Sequence, residues 1–242
     1  MNLPLPPGQR ESAAFHRFGL SQFATRFPKD SSARELQVMG NVANELRLVD
    51  ALAGLPRVEQ TSDFHCVTTW TYRALRWEGV RFRDFYAMVV SPDASPSPDA
   101  TLVGLRGQDG ARTGMLLEDL LSPNVLIADR LNGEPIPIDH GAPLRLVAPD
   151  HYGYKSVKHL SQIEFRLPAS GYRVSGLRVM DHLRARVALE ERGRALPGWI
   201  LRHLYRPLIP GTVSRFAKAS ERRQEREGVS SETAASQVTP IK

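Results

Sequence analysis

Cysteine is nearly absent from this 242-residue chain: Cys66 stands alone, so no internal disulfide can form and oxidative cross-linking is excluded as a source of stability. No apolar run approaches the roughly 18 residues that a membrane-spanning helix requires. The opening Met1-Asn2-Leu3-Pro4-Leu5-Pro6-Pro7 lacks a basic region followed by an apolar one, and no twin-arginine pair lies near it. A cytoplasmic location is the default expectation. Net charge is also missing from most of the chain. The formal balance is +6, but residues 192–242 hold ten Lys or Arg against four Glu, which accounts for all of it. The first 191 residues are formally neutral, so the body of the protein is not a nucleic-acid binder.

What is present is a composition ordinary for a globular protein, 41% hydrophobic and 24% charged, with length enough for a substantial core. Residues 1–30 form a Pro- and Phe-rich arm (Phe15, Phe18, Phe23, Phe27) of the kind that lies over a domain and inserts its aromatics into grooves. Residues 31–170 read as a strand-led core. Strands are predicted near 36–42, 58–67, 101–106, 112–117, 125–131, 144–148 and 157–167. Short helices are predicted at 44–55, 82–90 and 116–121. Trp77-Glu78-Gly79-Val80 reads as a turn, and Ser91-Pro92 through Pro98 as a surface loop. Residues 171–227 read as a basic helical extension, with helices at 179–192 and 199–227, and residues 228–242 as a polar, disordered tail.

Three polar clusters interrupt the apolar strands: His65-Cys66, then His140 with Arg145, then Lys155-Ser156-Val157-Lys158. A thiolate is a soft ligand suited to a redox-active metal. Cations beside Gly-containing loops suit a phosphate, through charge-assisted hydrogen bonds and free backbone N–H groups. Arg145 lies in an apolar strand and needs an anion there, because a buried unpaired charge is unfavourable. Together these residues point to a phosphorylated cofactor that also carries a metal. A Cys66–His140 hydrolase is the bland chemical alternative, but no helix N-terminus follows Cys66 to lower its pKa.

Three stretches resemble the sulfite oxidase family of molybdopterin-dependent oxidoreductases. They are His65-Cys66-Val67-Thr68-Thr69-Trp70 with Trp77-Glu78-Gly79-Val80, the run Leu131 to Val147 around Asn132-Gly133 and His140-Gly141, and Tyr152-Gly153-Tyr154-Lys155-Ser156-Val157-Lys158-His159-Leu160. Their order and separation match over about residues 36–167, and the Cys-Val-x-x-Trp form resembles the small bacterial members. The resemblance implies an α+β fold of the sulfite-oxidase type, a strand-rich core with short helices and a helical C-terminal extension. It implies molybdenum held by a pyranopterin, with Cys66 as the catalytic residue and the protein's metal ligand, and no haem. The cofactor-binding set it implies is His140, Arg145, Ser156 and Lys158. Lys155 sits at a commonly basic position, and His65 is carried in the set although the resemblance gives it no ligand role. Asp129 aligns with an active-site tyrosine of the eukaryotic enzymes.

The expected activity is oxygen-atom transfer on a small sulfur oxyanion or sulfoxide-like substrate, with a separate electron donor or acceptor. The basic C-terminal helices are a candidate docking surface for that partner. The alternative is a non-catalytic cofactor-binding or docking module that retains the fold.

Overall fold

The computed structural model describes residues 4–28 and 30–236, with side chains to residue 226. Eleven strands alternate with short helices: β1 (Arg10–Glu11), β2 (Leu36–Gly40), β3 (Leu46–Leu48), β4 (Arg57–His65), β5 (Trp70–Arg81), α1 (Phe82–Phe85), β6 (Leu102–Gly107), β7 (Arg112–Leu116), α2 (Leu117–Leu120), β8 (Leu126–Leu131), β9 (Glu134–Pro135), β10 (Arg145–Val147) and β11 (Leu160–Arg166). Two further helices, α3 (Gly198–Tyr205) and α4 (Ile209–Ser236), follow the last strand.

The strands form two mixed sheets. One is ordered β3-β2-β11-β6-β7. The other is built on the long β5, which pairs with β4 along one edge. Its other edge takes β1 at the Trp70 end and β8 at the Arg81 end. Side chains that alternate across each strand explain the packing. In β8, Ile127 faces the core between the sheets, with Leu36, Val103, Met115 and Ile163, while Leu126 and Ala128 face a second cluster with Leu75 and Trp77. At β8 this sheet is therefore buried on both faces, and Leu126-Ile127-Ala128 reads as a continuous apolar run.

Several sequence expectations fail for local reasons. Trp77–Val80 is strand, not turn: it pairs with β8, where the register shift between Glu78 and Gly79 leaves Asp129 as the extra residue of a bulge. The helix expected at 44–55 is strand β3 followed by a turn, because Leu46 and Leu48 pair with β2. The helix at 82–90 begins as α1 and continues as a π-helical segment, Tyr86–Ala94, that carries Pro92. The helix at 179–192 is irregular chain with one short 3-10 turn, Arg178–Met180. The tail expected to be disordered from Gly228 is helical to Ser236, and residues 237–242 lie outside the described residues.

Candidate functional site

Cys66 follows the end of β4, and a four-residue turn returns the chain into β5. The Thr69 N–H closes that turn on the Cys66 carbonyl at 3.1 Å. Thr69 is held at φ 86, an unusual conformation for a β-branched residue. The Cys66 thiol is buried and lies 3.1 Å from the Thr68 hydroxyl. Burial raises its pKa; the Thr68 hydrogen bonds and the charges of Arg192 and Lys158 work in the other direction.

The thiol opens into a cavity of about 360 Å³, whose walls also carry Arg145, Ser156 and Lys158. The N-terminal arm closes one side through Arg17 to Phe23, and the C-terminal extension closes another through Leu177, Tyr205 and Phe216. Two of the cations in this wall, the buried Arg145 and the half-buried Lys158, stand outside any ion pair among the described residues. Arg145 is 1% exposed, donates Nη1 to the His140 carbonyl at 2.8 Å, and leaves Nε with no partner. Phe64 and Trp77 stand about its guanidinium at 5.2 and 5.1 Å. Burial draws its pKa down to about 9. Lys158 donates to the Asp139 carbonyl at 3.0 Å, and burial and the neighbouring Arg145 lower its pKa to about 7. Gly141, at φ +118, lets the chain pass between them: a Cβ there would lie 3.2 Å from both Arg145 Cβ and Lys158 Cα.

The other sequence candidates lie elsewhere. His65 and Cys66 are consecutive at a strand end and point to opposite sides. The His65 ring meets the Thr71 hydroxyl at 2.8 Å and does not line the large cavity. His140 contributes its carbonyl; its ring stacks on Phe15 at 4.3 Å, and burial first, then Lys158 and Arg145, lower its pKa to about 3. Lys155 is fully buried away from the cavity and donates to the Gly114 carbonyl at 2.7 Å and to Asp181 at 3.4 Å. It anchors the C-terminal extension to the core. Asp129 is outside the cavity and pairs with Arg34 at 2.9 Å and with Arg57.

Four charged wall residues, Arg17, Asp109, Arg112 and Asp181, were not singled out from sequence. Arg17 sits in the aromatic arm, and Asp109 reads as an ordinary hairpin residue, a role it also fills by accepting the Ala111 N–H at 2.9 Å.

Among the described residues no group of three or more His, Cys, Asp or Glu side chains could hold a metal ion. A metal at Cys66 would therefore bring its remaining donors on an organic ligand. A cavity with one soft donor, two cations outside any ion pair and an unpartnered guanidinium nitrogen fits an anionic ligand of that kind.

That combination suits a large anionic ligand that carries a metal, and comparison with known proteins identifies the family. The family model described as "Oxidoreductase molybdopterin binding domain" matches residues 24–171, and the chain belongs to this family of oxidoreductases, with its α+β fold. It is 33% identical over 162 residues to the "Uncharacterized oxidoreductase YuiH" of Bacillus subtilis, covering 66% of this chain and 78% of that protein. It is 31% identical to the "Protein-methionine-sulfoxide reductase catalytic subunit MsrP" of Gluconobacter oxydans, covering 53% of this chain and 45% of the relative, so it spans less than half of that protein's length. The solved sulfane dehydrogenase SoxCD of Paracoccus pantotrophus aligns with a TM-score of 0.47 at 21% identity, over 54% of this chain and 37% of that one. No helix among the described residues is long and apolar enough to cross a membrane.

Proposed function

We propose that this oxidoreductase transfers an oxygen atom between a sulfoxide-like substrate and water, using molybdenum held by a pyranopterin, with Cys66 as the protein's sulfur ligand. One observation carries the reading: the only thiol of the chain lines the same cavity as the buried Arg145 and the half-buried Lys158, neither of which is in an ion pair among the described residues. The bound group would supply a two-electron redox couple. In the reducing direction the balance is a sulfoxide plus two electrons and two protons giving a thioether and water, with the electrons from a separate donor.

The chain's own residues divide the remaining work. Cys66 gives up its proton on binding the metal, and the Thr68 hydroxyl at 3.1 Å is placed to donate to the thiolate. Arg145 and Lys158 bind the anionic portion of the ligand, and the Ser156 hydroxyl, which accepts the Ala148 N–H at 3.2 Å, presents its own proton at the same wall. The arm and the extension narrow the access of water to the site, which strengthens each of these contacts. The exposed apolar side chains Leu20, Leu177, Met180 and Leu208 line the cavity, and they favour a substrate with an organic group on sulfur over a bare oxyanion. Relatives named as protein-methionine-sulfoxide reductase subunits support the same choice.

The test is turnover of the molybdenum-loaded enzyme with artificial electron carriers against sulfite and a panel of sulfoxides. Sulfoxide reduction is expected, and Cys66→Ser should lower kcat/KM by more than about a hundredfold, a loss that even outer residues around metal ligands can produce. Full turnover by Cys66→Ser would remove Cys66 from the mechanism.

A further inference from the structure

The turn that presents Cys66 is gripped by side chains from both ends of the chain, and both lie outside residues 24–171. From the N-terminal arm, Gln9 donates Nε2 to the Cys66 carbonyl at 3.1 Å and accepts the Thr71 hydroxyl on Oε1 at 3.1 Å. It thereby ties the turn to the start of β5. From the C-terminal extension, Arg192 donates Nη1 to the Val67 carbonyl at 2.6 Å and Nη2 to the Pro7 carbonyl at 3.0 Å. Its Nε meets Glu190 at 3.2 Å, and its guanidinium lies 4.8 Å from the Tyr152 ring centre. Arg192 is 0% exposed, so this is a charge wholly committed to internal partners.

We propose that Arg192 and Gln9 are positioning residues for the Cys66 thiol: together they clamp the ligand turn in the one geometry that aims its sulfur into the cavity. The inference rests on the reading of Cys66 as the metal ligand. Its physical ground is the turn itself. Thr69 at φ 86 is a conformation that a threonine keeps only where the surroundings over-determine it. The carbonyls of Cys66 and Val67 are the groups a relaxing turn would swing first, and each is held by one arm of the clamp. The packing is also built around the clamp. Gly8, at φ +71, lies against it so closely that a Cβ would sit 2.9 Å from Arg192 Nη2 and 2.8 Å from Glu190 Oε1. Arg10 N–H adds a third tie to the Thr69 carbonyl at 2.9 Å. The segments flanking the matched domain would thus complete the ligand loop as well as cover it.

The experiment uses the full-length, cofactor-free protein from a host that makes no pterin, and follows alkylation of Cys66 by iodoacetamide. With one cysteine in the chain, the modified site is unambiguous. If alkylation waits on local opening of the turn, Arg192→Met and Gln9→Leu should each react about tenfold faster than wild type, or more, without loss of the folded circular-dichroism signal. Arg192→Lys, which keeps the charge and one donor, should fall between. In the loaded enzyme, the thiolate-to-metal absorption band should shift in the Met and Leu variants and return toward wild type in the Lys variant. Wild-type alkylation rates and an unmoved band in both Arg192→Met and Gln9→Leu would overturn the clamp. Should Arg192→Met not fold, Gln9→Leu, which strands no buried charge, decides alone by the same two readouts. A failure of the underlying ligand reading looks different: wild-type Cys66 would be alkylated equally fast with and without cofactor.

Discussion

At the scale of single residues, the chemistry turns on which polar groups are buried without a partner. Arg145 was legible because a cation inside an apolar strand must answer to something, while Ser156 and Lys158 were grouped with it through their Gly-containing loop and the family resemblance. His65 and Lys155 share those residue types and find side-chain partners within the fold, whereas the His140 ring stacks on Phe15 and leaves its buried Nδ1 without a hydrogen-bond partner. Adjacency decided His65: one residue along a strand reverses the face. Burial decided Lys155, whose ammonium is spoken for by Gly114, Thr113 and Asp181.

Lys158 gives a pH-dependent consequence with a definite sign. Its ordinary value of 10.5 is lowered to about 7 in the folded protein. Between those values the unfolded chain binds more protons, so this group makes the stability of the cofactor-free protein rise with pH from about 7 upward. Burial pushes the Cys66 thiol up from its ordinary 9.0, so above about pH 9 the thiol contributes in the opposite direction and the rise should flatten. An anion in the cradle recharges Lys158. Phosphate binding to the cofactor-free protein at pH 8 should therefore take up close to one proton, measured by calorimetry in buffers of different ionisation enthalpy. The Lys158→Met protein should take up none.

At the scale of elements, strands with alternating or continuous apolar patterns were readable: β2, β4, β6, β7, β8, β10 and β11 all occur where the pattern put them, to within a few residues. The long β5 was not. Gly79 reads as the glycine of a turn, and Arg73 and Arg76 break the alternation, yet β4 on one side and β1 with β8 on the other enforce the strand. The segment 179–192 fails as a helix because long-range ties outweigh its local pattern: Asp181 is drawn to Lys155 and Thr113, and Arg184 to Asp119 at 3.0 Å. Removing one partner of the buried Lys155–Asp181 pair should be severe. Lys155→Met is expected to lower the stability of the cofactor-free protein by about 3 kcal/mol in urea titrations, the scale set by stranded buried charges. The fraction that stays folded should bind pterin normally, since Lys155 does not line the cavity.

At the scale of the whole molecule, a two-sheet core supplies the thiol and cations while both chain ends close over them. The arm was expected to insert aromatics into grooves. Phe15 does so, stacking on His140 and meeting Phe64 edge-on at 5.2 Å. That the arm and the extension meet each other was not legible. Arg17 lies 4.0 Å from the Phe27 ring centre and 5.0 Å from that of Phe216 in α4, a contact between residues 199 positions apart that no local pattern encodes. The loaded protein should unfold well above the cofactor-free one, by the mass-action stabilisation that any tight ligand of the native state confers.

The most direct measurement of the central claim is the molybdenum and pterin content of the full-length protein purified from a molybdenum-competent host, compared among wild type, Cys66→Ser and an Arg145→Met/Lys158→Met double variant. Wild type should carry equimolar metal and pterin, Cys66→Ser should keep pterin while losing turnover, and the folded double variant should lose the pterin. Wild-type protein without molybdenum and pterin, or a double variant with wild-type cofactor content, would contradict the account.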